Sequence, residues 1–331
     1  MKNKRFFESA SGIICLMLIL TAVIFLSLVF GSVSMTLDEL VGGILNKDGF
    51  ATQSVILYSV RLPRIIGGFI AGVGLSVSGC LLQCVTGNKL ASPNIIGVNS
   101  GAGLALIMLM NFFPSAVKLQ PVVAFVGATA AAAVIMLVSS RINSGSSSVI
   151  LSGVAVTTLF NAGISFMSYF NNDLLSSYNY FSVGGLSGCE KNELAIPFIA
   201  VAVCFAAALL ISDKADVLSL GDKAAYTMGV NAKAIRIICV VIACASAASV
   251  VCFAGLLGFV GLVVPHIARK LAGERMSTLL TVSALCGAVL VIVADLIGRV
   301  AFAPSEIPVG IVMAFIGSPF LFLLILRRKK L

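Results

Sequence analysis

The chain has 331 residues, 59% of them hydrophobic and only 11% charged. Soluble domains carry about a quarter charged residues, so this composition excludes a soluble globular enzyme, a disordered chain and a free nucleic-acid-binding protein. The formal net charge of +9 would point to nucleic acid in a soluble protein; in a membrane protein it marks the loops that face the cytoplasm, and no nucleic-acid partner is expected.

In chain order, a short basic segment with Lys2, Lys4 and Arg5 precedes a charge-free apolar run over about residues 12–32. That run is too long for a signal-peptide core, and no small-residue cleavage site closes it. It is read as a retained first span. A span needs about 20 mostly apolar residues. Further candidates follow at about 64–84, 94–112, 121–140, 148–170, 194–212, 235–253, 256–268, 278–298 and 308–326. The seventh and eighth are separated only by a bend rich in glycine (Gly255, Gly258, Gly261), and the eighth contains Pro265. Long unbroken apolar runs lack the alternation of an outer-membrane barrel. The expected fold is therefore an all-α polytopic membrane protein of about ten transmembrane helices, with residues 1–331 forming a single transmembrane domain.

Ten spans place both termini on one side. With the N-terminus inside, sixteen of the 22 basic residues fall on the inner side, including Arg327, Arg328, Lys329 and Lys330. Only Lys47, Arg61, Arg64, Lys118, Lys191 and Arg299 fall outside. That bias predicts cytoplasmic termini. Two loops exceed a simple connector. The outer loop over about 33–60 holds Leu37, Leu40, Val41, Ile44 and Leu45 at helical spacing, which predicts a helix lying along the surface. The inner loop over about 213–234 mixes charges, alanines, Gly221 and Gly229, which predicts one or two short helices projecting into the cytoplasm.

Residues for catalysis are scarce. There is one histidine, His266, where a metal site normally takes several ligands. Eight of the nine cysteines lie in apolar runs and read as small packing residues, Cys80 and Cys84 included; Cys189 alone sits in a polar loop. Neither a Walker A sequence nor a Gly-x-Ser-x-Gly elbow occurs. No catalytic residue, metal or cofactor is assigned. Away from the span ends only Asp295 lies clearly within a span, close to the outer end, with Arg299 four residues on, a spacing that predicts an ion pair on one helix face. Ion-coupled carriers keep ionisable groups near mid-membrane. A nearly charge-free interior fits a permease whose energy enters from a partner ATPase, with an ion-coupled secondary transporter as the alternative.

An ordered set of motifs then resembles a known family. It comprises Arg61-Leu62-Pro63-Arg64, Ser78-Gly79-Cys80-Leu81-Leu82-Gln83, Asn88-Lys89-Leu90-Ala91-Ser92-Pro93, Gly97-Val98-Asn99-Ser100-Gly101, Leu151-Ser152-Gly153-Val154-Ala155, Leu218-Ser219-Leu220-Gly221, Met228-Gly229-Val230-Asn231, Gly258-Phe259-Val260-Gly261 through Pro265-His266, Ala294-Asp295-Leu296 and Glu306-Ile307-Pro308-Val309-Gly310. From about residue 33 to 325 these resemble the FecCD/BtuC-type permeases of bacterial ABC importers. The resemblance implies a ten-span, BtuC-like subunit of the bacterial cell membrane. It implies a permease dimer, with a second copy or a related permease, working with two cytoplasmic ABC ATPases and an extracytoplasmic binding protein that delivers an iron–siderophore, haem or cobalamin. It further implies that Arg61, Arg64 and Arg299 receive carboxylates of the binding protein. Leu220, Gly221, Asp222, Ala224, Met228, Gly229 and Val230 would contact the ATPase, and Asn88, Leu90, Ser146 and Ser147 would form a cytoplasmic gate. Lys89 and Leu256 stand where the family often has proline.

Overall fold

The computed structural model describes residues 10–47, 49–93, 97–141 and 146–328. Its helices are α1 (Ala10–Val29), α2 (Leu37–Ile44), α3 (Ala51–Val55), α4 (Leu62–Thr86), α5 (Val98–Phe112), α6 (Gln120–Arg141), α7 (Ser146–Phe170), α8 (Asn172–Val183), α9 (Ala195–Leu210), α10 (Ser212–Ser219), α11 (Asp222–Thr227), α12 (Ala232–Ala254), α13 (Val260–Ala272), α14 (Met276–Val300) and α15 (Val309–Arg328). No strand occurs among the described residues. Seven helical stretches there are long and apolar enough to cross a membrane. The other three expected spans are occupied by shorter elements: α5, the apolar Val309–Leu324 part of α15, and α13.

Helix α4 is the centre of the bundle. Almost every side chain from Pro63 to Thr86 is buried, with α14, α12, α13 and α9 packed around it. Apolar burial does not by itself draw helices together in lipid, so small residues that allow close backbone approach take over that role. A Cβ on Gly72 would stand 2.3 Å from the Gly287 carbonyl carbon of α14, and one on Gly79 would stand 1.9 Å from the Gly261 carbonyl oxygen of α13. At both crossings backbone lies against backbone, and any side chain would force the helices apart.

Charged groups lie at the two ends of this packing, with small serines such as Ser76, Ser78 and Ser283 between them. Arg64 and Gln83 are nineteen residues apart on α4, about 28 Å at the helical rise. Arg275, which precedes α14, and Asp295 are twenty residues apart, about 30 Å at the helical rise. No charged residue lies between either pair, and the spacing matches a hydrocarbon layer of about 30 Å. The chain is a multi-pass helical membrane protein.

Three local features depart from the sequence expectation. The apolar run predicts a second span from about residue 64, but the helix runs unbroken from Ala51 to Thr86. A π-helical turn, Ile56–Arg61, leads into α4, and the Leu62 N–H bonds back to Leu57. The wider turn admits Pro63, which offers no N–H and would crowd an ordinary helix interior. Second, the expected span over 256–268 begins only at Val260. Gly255 and Phe259 hold positive φ of 66° and 65°, and this irregular stretch is satisfied by its neighbours: Gly185 donates to Ala254 O and Leu256 to Phe181 O. Such backbone survives at membrane depth only where protein buries it. Third, α8 was not anticipated. Its polar, asparagine-containing sequence carries a weak helical signal.

The outer-loop helix appears as α2, started by a reciprocal capping box between Thr36 and Glu39. The inner loop forms two short helices, α10 and α11, as expected. Cys80, Cys204, Cys239 and Cys244 pack in the core, and Cys189, expected in a polar loop, is buried there as well. His266 lies inside α13 with its ring edge-on to Phe320 at 5.6 Å.

Candidate functional site

At one end of the bundle, α1 stops at Val29 and leaves its last carbonyls without helical partners. Arginines from two other helices supply the donors. Arg61, on the π turn, donates to Leu28 O, Val29 O and Val33 O. Arg299, near the end of α14, places Nη1 3.5 Å from both Ser27 O and Phe30 O and donates from Nη2 to Ser27 Oγ at 2.5 Å. Its Nε stands 2.8 Å from Asp295 Oδ2 in the ion pair that the i,i+4 spacing predicts. One turn beyond Arg61, Arg64 Nη2 meets Glu306 Oε2 at 2.7 Å. The other Glu306 oxygen accepts from the Ser32 hydroxyl at 2.6 Å.

The sequence thus anticipated three arginines at one end, and they do converge. Their guanidinium groups, however, turn inward. Arg61, Arg64 and Arg299 retain only 2%, 7% and 3% of their full exposure. The sequence reading missed the groups that hold them: Ser27, Ser32 and Glu306. Glu306 lies in a recognised motif, but nothing in its local sequence announces a partner 242 residues away. Burial raises the cost of ionising Glu306, yet the hydrogen bonds from Arg64 and Ser32 outweigh it and keep its pKa below the ordinary glutamate value. Beside this cluster a cavity of about 830 Å³ opens among Lys118, Tyr180, Ser187, Glu190 and Glu193.

At the opposite end, Asn88 and Leu90 form a local turn in which the Leu90 N–H donates to Asn88 Oδ1 at 2.9 Å. Lys89 pairs with Glu274 at 2.9 Å on the surface. Behind them the buried Gln83 amide donates to Ala91 O and Gly261 O and accepts from Arg269. This joins α4, α13 and the 88–91 turn. Ser146 and Ser147 open α7, but their side chains lie outside the described residues.

The α10–α11 segment projects from this same end. Gly221 separates the two helices with φ 102° and ψ 162°, a region open to little but glycine. Gly229, at φ 71°, ends α11 in a Schellman turn: its N–H bonds to Tyr226 O and that of Val230 to Ala225 O. Asp222 pairs with Arg236 of α12 at 2.8 Å. Ala225 is buried, while Leu220, Tyr226 and Met228 are 69%, 85% and 60% exposed. These form an apolar tip on an otherwise charged segment.

Charged groups kept to the ends of long apolar helices, with a segment that exposes apolar side chains at one end, fit a membrane permease. Among the described residues no group of three or more metal-binding side chains occurs. The FecCD transport family matches residues 18–327, and the chain belongs to that family. It is 36% identical over 322 residues, 96% of each chain, to the Fe(3+)-citrate import system permease YfmE of Bacillus subtilis. It is 33% identical over 317 residues, again 96% of each, to the probable haem-iron transport system permease IsdF of Staphylococcus aureus. Its fold superposes with a TM-score of 0.86 on a transporter described as of the metal-chelate ABC type, in an inward-facing conformation, at 27% identity and covering 96% of this chain and 100% of the other.

Proposed function

We propose that this chain is the membrane subunit of an ATP-driven importer for an iron complex. Two such subunits, identical or related, enclose the pathway. ATP is hydrolysed by two separate cytoplasmic subunits, and the ligand arrives on an extracytoplasmic binding protein. Residues 1–331 act as one permease domain with both termini cytoplasmic. The ligand class is supported by the similar permeases, which are named for ferric citrate and haem.

The observation that carries the ATP-driven reading is the exposed tip formed by Leu220, Tyr226 and Met228. Water-exposed apolar clusters mark interaction sites, and this one is held on a short arm by Gly221 and Gly229 at the end away from the arginines. No charged residue lies along α4 between Arg64 and Thr86 or along α14 between Met276 and Asp295, which disfavours ion coupling. At the other end Arg61, Arg64 and Arg299 are assigned to the binding-protein face. Glu306 already occupies Arg64, so an incoming carboxylate must exchange with it. Asn88, Leu90, Ser146 and Ser147 are assigned to the cytoplasmic gate.

Proteoliposomes containing the permease, its ATPase and its binding protein test the reading with radiolabelled ferric citrate and ferric hydroxamate. Uptake that requires ATP and the binding protein is expected. Uptake by the permease alone under an ion gradient would overturn the reading in favour of a secondary carrier.

A further inference from the structure

The first turn of α14 has backbone N–H groups without helical partners, and the residue before it, Arg275, gives no side-chain cap. The cap comes from another element. Asp216, on α10, accepts the Met276 N–H at 2.7 Å through Oδ1. A carboxylate at a helix N-terminus is favoured both as acceptor and by the helix dipole. Burial raises the pKa of Asp216 above the ordinary aspartate value, partly offset by this bond and by Arg275; Asp213, also nearby, adds to the rise.

The two bonded elements differ in character. Helix α10 continues directly into the exposed tip at Leu220, and its Ala215 and Leu218 are buried against α4, α12 and α14. Helix α14 is an unbroken 25-residue rod packed along α4. Its other end carries Arg299, bonded to the end of α1. Met276 and Arg299 are about 35 Å apart at the helical rise. A rigid rod tied by charged groups at both ends transmits displacement from one side of the bundle to the other.

We propose that Asp216 is a positioning residue that passes movement of the α10–α11 segment to α14, and through it to the arginine cluster. The inference rests on the importer reading above and names the link that reading leaves open.

The test uses the complete transporter in proteoliposomes and reads two quantities: the binding-protein stimulation of ATP hydrolysis, and radiolabelled ferric citrate taken up per ATP. Asp216→Ala removes the acceptor. Met276→Pro removes the donor at the first helical position, where proline is tolerated, and Arg275 before it already has the extended backbone that proline prefers. Each change should lower both readouts about fivefold, the size of a lost cap, with basal hydrolysis and subunit stoichiometry unchanged. Asp216→Asn, an equally good cap, should keep most of the coupling. The double variant should be no worse than the poorer single one, because both remove the same bond. Wild-type coupling in Asp216→Ala, or additive losses in the double variant, would overturn the inference. If Asp216→Ala does not assemble, normal coupling in Met276→Pro overturns it, and failure of both to assemble assigns the contact to folding alone, which overturns it too. A wild-type complex that responds to neither the binding protein nor ATP would instead defeat the importer reading itself.

Discussion

Arg299 and Asp295 face each other with 4% and 6% of their side chains exposed, so each buried charge is balanced by the other. Removing one member of a buried pair costs about 3–5 kcal/mol, because the remaining charge is stranded. Arg299→Gln should therefore lower the melting temperature of the purified permease sharply. Asp295→Asn combined with Arg299→Gln should recover part of the loss, and a thermal melt of the two variants in one detergent checks the order. Glu306 makes a second prediction, in pH. Its folded pKa lies below 4.5, so the stabilisation from its bonds to Arg64 and Ser32 is complete above that unfolded value. It is lost as pH falls through the folded one. Melting temperature should drop as pH falls below 4.5 more steeply in the wild type than in Glu306→Gln; parallel curves would show that this carboxylate is not the group responsible.

The helices meet where side chains are smallest. At the α4–α14 crossing a Cβ on Gly72 would collide with Gly287 backbone at 2.3 Å, and backbone cannot move aside as a flexible side chain can. Overpacking of this kind costs about 1–3 kcal/mol or more. Gly72→Val should thus destabilise the permease by at least that amount. Gly188→Ala, where nothing lies within 4 Å, should stay within about 0.5 kcal/mol of wild type. Chemical denaturation in mixed micelles would compare them. The Gly68–Gly72 spacing is visible in the sequence as a packing motif. Its partner, Gly287, is not, because nothing local distinguishes the glycine that receives another helix from one that does not. The helical tip of α10–α11 behaves similarly. Charges, alanines and two glycines reveal short helices in advance, whereas the exposure of Tyr226 depends on how the segment leaves the bundle. Tyr226→Asp should abolish co-purification of the ATPase subunit and leave the melting temperature unchanged, since the side chain is 85% exposed and supports no core contact.

Across the whole molecule, the charge-free stretches of about 28–30 Å along α4 and α14 set how the bundle sits in lipid. With the α10–α11 end cytoplasmic, a cysteine introduced at Lys47 should react with a membrane-impermeant reagent on intact cells, and one at Lys223 should react only after permeabilisation. The reverse pattern would invert the assignment of the two faces. The sequence by itself determined that the chain is helical and membrane-embedded, roughly where its apolar elements lie, that Asp295 and Arg299 pair, and that a helical arm projects between α9 and α12. These follow from composition, run length and spacings of three or four residues, all of which are local. Only the tertiary structure decided that Arg61 and Arg299 complete the end of α1, that Glu306 holds Arg64, that α13 starts late behind an irregular turn, and that Asp216 caps α14. Each of these joins residues far apart in the chain through a few hydrogen bonds or an ion pair. Such pairings depend on which helix ends come together in the packed bundle, and that is a property of the assembled fold rather than of any one segment.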